Sequence, residues 1–266
     1  MQKTLVVLLS TIAVPGCLLS ETGGTVVKLK IVTGKPVVED VYLNGNGPYR
    51  FLVDTGAGPN VVEAKLARKL GIDAIAPAKM LTPAGMTSAD ATRVPRVSLG
   101  PAEATDQLFL LSSLDGLHTT SPDIRGILGQ SFLSQFDYVI DFKKHELVFG
   151  KPDTIRSPVP FRRIGRLMTI ATSAGDLVLD SGIGTLLLFR APSGLGRTVE
   201  IRASSGLSSL VSIDRAPELH IGGQVYHPGT AAFEAREGQV GNGLLPASLF
   251  HALFVCNSAG YIVIDP

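Results

Sequence analysis

The sequence predicts an all-β protein built from two similar, small β-barrel-like lobes, related by a pseudo-two-fold axis with a cleft between them. Three observations lead there. The first is composition: 266 residues, 45% hydrophobic and 18% charged, with 29 glycines and 17 prolines. That suits a turn-rich globular chain with a sizeable core better than a helical bundle or a disordered tail. The second is the density of short β-branched and aromatic runs, among them TVVKLKIV, PYRFLVD, QLFLL, DYVIDF and ELVFG, punctuated by Gly, Pro and Asn. The third is that the chain repeats itself. PYRFLVDTGAG pairs with AGDLVLDSGIG, PAGMTSADATRVPRVSLG with SSGLSSLVSIDRAPELHIGG, GILGQSFLSQFDYVIDF with GLLPASLFHALFVCNSA, and ELVFG with YIVID, in the same order in each half.

Residues 1–16 read as an export signal, with one early Lys, an apolar stretch from Leu5 to Val14 and small residues before Cys17. The stretch is too short to span a membrane as a helix. VPGC resembles a bacterial lipobox, in which the cysteine receives lipid, so Cys17 is the candidate membrane anchor and ordinary signal cleavage is the alternative. Either route takes the protein out of the cytoplasm, to the cell envelope or periplasm or into the medium. The first lobe is expected over 17–155 and the second over 156–266, with the Pro-rich KPDTIRSPVPFRR at 151–163 between them. LNGNGP signals a hairpin, because Asn-Gly supplies the positive φ angles of tight turns. NVVEAKLARKL at 60–70 predicts a helix whose Val61, Ala64, Leu66 and Leu70 share a face.

Several function classes drop out. A formal charge of +1 without a long basic run gives no reason to expect a nucleic-acid partner. The five histidines are scattered without metal-ligand spacing, so neither metal nor cofactor is expected. Cys256, in the apolar LFVCNS, is expected to be a small buried hydrophobe, leaving no disulfide framework.

What remains is the pair of Asp-[Ser/Thr]-Gly sequences, each closing an apolar strand. A carboxylate there is costly unless something holds it. With the lobes face to face, Asp54 and Asp180 meet at the interface. Two carboxylates that close do not both ionise readily; they share a proton and titrate as a pair. Such a dyad can hold a water, one acid drawing a proton from it as it attacks a carbonyl while the other protonates the carbonyl oxygen. Thr55 and Ser181 carry hydroxyls that can reach the opposite lobe's backbone, and Gly56 and Gly182 let backbone amides approach the acids without a Cβ in the way.

FLVDTGAG, LVLDSGIG and the downstream GILGQSFL are similar to the signatures of aspartic proteases, in order over roughly residues 25–266. The resemblance is to the single-chain, two-lobed pepsin arrangement, with lobes about as small as retroviral (retropepsin-like) protease subunits. It implies the acid protease fold and an endopeptidase using Asp54 and Asp180 on polypeptides bound in extended conformation. It also implies a β-hairpin flap, for which LTPAGMTSADA at 81–91 is the candidate, with Ala84, Gly85 and Met86 at its tip as substrate-binding residues. Four positions depart from the family pattern. Ala57 and Ile183 stand where pepsin-like members usually have a hydroxyl that keeps the acid ionised, which predicts a mildly acidic to near-neutral optimum. Pro246 replaces the Gly that should follow the apolar pair of the second lobe, and the flap candidate has no Tyr. These departures define the alternative reading, a catalytically degraded relative that binds peptides or a partner protein in its cleft.

Overall fold

The computed structural model describes residues 25–192, 196–235 and 238–265; the export signal and Cys17 lie outside them. In the first half the strands are β1 (Val26–Lys28), β2 (Lys30–Val32), β3 (Lys35–Leu43), β4 (Asn46–Val53), β5 (Asn60–Glu63), β6 (Ala76–Thr82), β7 (Gly85–Leu99), β8 (Ala102–Ser112), β9 (Ile124–Leu128), β10 (Tyr138–Asp141) and β11 (Glu146–Phe149). In the second they are β12 (Val159–Ile164), β13 (Leu167–Thr172), β14 (Gly175–Asp180), β15 (Leu186–Leu188), β16 (Arg197–Arg202), β17 (Ser208–Arg215), β18 (Leu219–Ile221), β19 (Gln224–Tyr226), β20 (Thr230–Phe233), β21 (Gly243–Pro246), β22 (Ala252–Cys256) and β23 (Tyr261–Ile264). The α-helices are short: α1 (Ala64–Lys69), α2 (Asp115–His118) and α3 (Gln130–Leu133). Among the described residues no helix is long and apolar enough to cross a membrane.

The internal repeat becomes a repeat of topology. The first lobe's strands lie in the order β3-β4-β9-β5-β8-β7-β6, and the second lobe's in the order β13-β14-β21-β15-β20-β17-β16. Strand senses match as well. The Asp-bearing strand pairs in parallel with β9 in one lobe and β21 in the other. The next strand pairs antiparallel to that partner and parallel to β8 or β20. Between the lobes lies the run β1-β11-β10-β22-β23-β12, in which β10 and β22 pair antiparallel at the centre and each half supplies three strands. One buried apolar cluster runs from Phe51 and Phe109 through Tyr138 and Leu253 to Leu179 and Ala231, so the lobes share a core. Each Val, Leu, Ile, Phe or Met side chain fully buried in it stabilises the fold by about 1.5–3 kcal/mol.

Two local expectations change. The helix expected over 60–70 begins only at Ala64. Residues 60–63 form β5, buried along its length, because β-branched Val61 and Val62 sit between β8 and β9, where both faces of a strand are covered. TVVKLKIV is two strands, β1 and β2, that leave for different sheets at Leu29. The hairpin at Asn44–Gly45 has φ of 50° and 79°, the two successive positive values its sequence signalled.

Candidate active site

β4 and β14 each run through the middle of a lobe and stop at an acid. Both chains then turn inward, so that Asp54-Thr55-Gly56 and Asp180-Ser181-Gly182 meet between the lobes. The two hydroxyls lock this meeting reciprocally. Thr55 Oγ1 donates to the Leu179 carbonyl (2.9 Å) and accepts from the Ser181 N–H (3.0 Å). Ser181 Oγ donates to the Val53 carbonyl (2.7 Å) and accepts from the Thr55 N–H (3.0 Å). Both side chains are buried, with 0% and 1% of their surface exposed, so each hydroxyl replaces water for one donor and one acceptor of the opposite lobe.

The carboxyls face each other within hydrogen-bonding reach. The Gly56 N–H donates to Asp54 Oδ1 at 2.9 Å, and the Gly182 N–H to Asp180 Oδ1 at 2.7 Å. Burial pushes both acids above the usual carboxylate range. For Asp180 the charge of Asp54 adds to burial in the same direction. The glycine N–H groups and the Lys35 ammonium pull both acids the other way. The pair is thereby set to retain a proton between its members.

The glycines are required by proximity. A Cβ on Gly56 would lie 2.3 Å from Asp180 Cγ, and one on Gly182 would lie 2.5 Å from Asp54 Oδ2. We expect Gly182→Ala to lower peptide cleavage by about 100-fold or more, the scale of a 1 Å misplacement at a reacting group. Circular dichroism should remain that of the parent; an unchanged rate would show that the acids need not sit this close.

The acids open into a cavity of about 560 Å³. Leu52, Val61 and Ile127 wall its first-lobe side, and Val178, Leu187 and Leu244, at the matching strand positions, wall its second-lobe side. Two hairpins overhang it. In the β6–β7 hairpin, closed by Thr82 Oγ1 donating to the Gly85 carbonyl at 2.8 Å, Ala84 is buried at the tip and Met86 is 57% exposed. The residues facing the cavity are instead those of the preceding arm, Met80, Leu81, Thr82 and Pro83. The second hairpin, β16–β17, contributes Ile201 and Arg202 with Ala203 and Ser204 from its turn. Each hairpin rests on the opposite lobe: Gln239 Nε2 donates to the Thr82 carbonyl at 3.3 Å, and the Gly116 N–H to the Ser204 carbonyl at 3.1 Å. Sequence reasoning named only the first hairpin, although the pairing of 83–100 with 204–223 already contained the second. It also passed over Lys35, which lines the cavity.

Pro246 occupies the place of Gly129 in the first lobe. There the Gly129 N–H donates to the side-chain oxygen of buried Asn60 at 2.9 Å. In the second lobe Pro246 has no N–H, and the position of Asn60 is taken by Leu186, 1% exposed, which offers no acceptor. Donor and acceptor are absent together, so Pro246 leaves no unpaired buried group. Ile183, in the place of Ala57, packs against the apolar cluster of its own lobe and lines the cavity. Among the described residues no three His, Cys, Asp or Glu side chains gather as a metal site.

Residues 39–132 match the family model described as aspartyl protease. Among solved structures, a retropepsin-like aspartic protease from Rickettsia conorii is similar, with 24% identity and a TM-score of 0.36; the match covers 48% of this chain and 89% of that one. No curated protein matches the chain.

Proposed function

As a relative of the aspartyl proteases through residues 39–132, this chain is one in which we propose that Asp54 and Asp180 hydrolyse peptide bonds by activating a water between them. The observation that carries the reading is the pair itself: buried Asp180 and half-buried Asp54, each held by the N–H of the glycine two residues on, and both raised by desolvation so that one proton stays between them. With one acid ionised and one protonated, the ionised carboxylate takes a proton from the water as its oxygen bonds to the substrate carbonyl carbon. The protonated acid gives its proton to the carbonyl oxygen. The resulting tetrahedral diol collapses as a proton passes to the amide nitrogen, the C–N bond breaks, and the acids return to sharing one proton. The two-sided apolar cavity and the overhanging hairpins support a polypeptide substrate held extended across the acids. An export signal on residues 1–16 would place this activity outside the cytoplasm, in the cell envelope or periplasm, anchored there if Cys17 is lipidated, or in the medium.

The same chemistry sets a pH dependence. Cleavage needs one proton on the pair, so it fails on the acid side when both acids are protonated and on the alkaline side when both are ionised. Burial and mutual charge move this window upward from the ordinary aspartate value of about 3.9, against the pull of Lys35. The rate should therefore peak at mildly acidic to near-neutral pH, and a profile of kcat/KM peaking near pH 2 would refute it.

Incubating the purified chain with an unfolded protein and a peptide mixture from pH 3 to 8, with products read by mass spectrometry, tests the proposal. Internal cuts support an endopeptidase. A folded chain that binds peptides in the cleft without cutting them supports the degraded relative instead, although the paired loss of donor and acceptor at Pro246 and Leu186 removes one reason for that reading.

A further inference from the structure

The charged groups that line the cleft are unbalanced. Among the described residues, and besides the two acids, which share a proton, the cavity is lined by three cations, Lys35, Lys79 and Arg202, and by no further carboxylate. None of the three makes an ion pair among the described residues, whereas the nearby Lys30 and Arg50 both pair with Glu39. Lys35 is the best placed. It opens β3 directly after the Thr33–Gly34 turn, which crosses to the other lobe: a Cβ on Gly184, just beyond Asp180-Ser181-Gly182, would lie 3.5 Å from the Thr33 carbonyl oxygen. Lys35 is half-buried there, close enough for its charge to act on both acids.

The two halves of the cleft also differ. In the strand registers Lys35 corresponds to Leu167, and Arg202 to Leu81, so these two cations have aliphatic counterparts across the pseudo-two-fold axis, and all four residues line the cavity. Lys79 corresponds to Glu200, which is not among the lining residues. A peptide lying across the acids meets the Lys35 ammonium beside the second lobe's acid loop; at the matching turn Leu167 lines the cavity, while Arg166, which packs on Gly58, is not among the lining residues.

We propose that the cleft selects polypeptides carrying an acidic side chain near the cut bond, on one side of it only, with Lys35 as the residue that receives the carboxylate. The proposal rests on Asp54 and Asp180 being the hydrolytic pair and adds a substrate class to it. Lys35, half-buried and without an ion pair among the described residues, attracts a carboxylate more strongly than an ammonium on an open surface does, whereas Lys79 and Arg202 are exposed and add less. The selection must also follow the substrate's own ionisation, falling as pH drops through about 4.3, the ordinary value for Glu.

The experiment has two arms. In the first, paired peptides differing by Glu or Gln at each position within two residues of the cut are given to the parent chain and to Lys35→Met at pH 4 and pH 6.5. The expected result is a preference of about tenfold in kcat/KM for Glu at pH 6.5, on one side of the cut, abolished by Lys35→Met and reduced to roughly fourfold or less at pH 4, where about a third of free Glu side chains are still ionised. In the second, the same peptides, fluorescently labelled, are titrated against Asp54→Asn at pH 6.5 in low and high salt. Tighter binding of the Glu peptides, weakened by salt, supports the selection even if no peptide is cut, in which case the hydrolytic reading alone fails. Equal rates and equal binding for Glu and Gln, or a Glu preference that survives Lys35→Met, overturn the proposal; if those peptides are still cut, the hydrolytic reading stands.

Discussion

Thr55→Val is expected to lower the unfolding free energy by about 2–6 kcal/mol while keeping the shape of the side chain. Valine leaves the Ser181 N–H and the Leu179 carbonyl, both now bonded to Thr55 Oγ1, without a partner in a place water does not reach. Each buried group stranded in this way costs about 1–3 kcal/mol. For a chain of this size the loss should appear as a fall in Tm of roughly 5–15 °C. Thr55→Ser keeps the hydroxyl and should recover most of it. Ser181→Ala strands the reciprocal pair, the Thr55 N–H and the Val53 carbonyl. Because both bridges hold the same two loops together, Thr55→Val and Ser181→Ala should be far from additive in a double-mutant cycle. Additive losses, or a Tm within 2 °C of the parent, would show that the lobes do not depend on this lock.

Asp180→Asn should do the opposite to stability and destroy activity. Burial and the charge of Asp54 raise the Asp180 pKa in the folded chain, so the folded state holds its proton more tightly than the unfolded state does. Protonation therefore favours folding: the contribution is fully present below the unfolded value of about 3.9 and is lost as pH rises through the raised folded value. At neutral pH the native chain bears the cost of keeping like charges together in a buried site. Asn is neutral, has nearly the same shape, and still accepts from the Gly182 N–H. The variant should melt at least about 2 °C above the parent at pH 7, and the gap should close below about pH 4. A variant less stable than the parent at pH 7 would mean that the pair is not strained by its charge.

Much of this was legible because it is local or repeated. The acid turns, the hairpin at Asn44–Gly45 and the matched halves are written in short motifs, and two copies in the same order identify each other. Three features were not. The start of α1 was misread because Val61, Ala64, Leu66 and Leu70 fit a helical face, while the burial of Val61 and Val62 between β8 and β9 depends on strands far away in the chain. Pro246 read as a defect because its missing N–H is visible in one residue, whereas its compensation, Leu186 in the place of Asn60, becomes visible only when the lobes are superimposed element by element. Lys35 carried no motif. Its place in the cleft follows from the packing of the Thr33–Gly34 turn on Gly184, a contact between residues on opposite lobes.

The most direct test compares peptide cleavage by the parent chain, Asp54→Asn and Asp180→Asn from pH 3 to 8, with folding checked at each pH. A shared pair requires both acids, so each variant should lose about 10³-fold or more in kcat while the parent cuts with a bell-shaped profile. A variant that keeps the parent's rate, or a folded parent that cuts nothing at any of these pH values, would contradict the dyad.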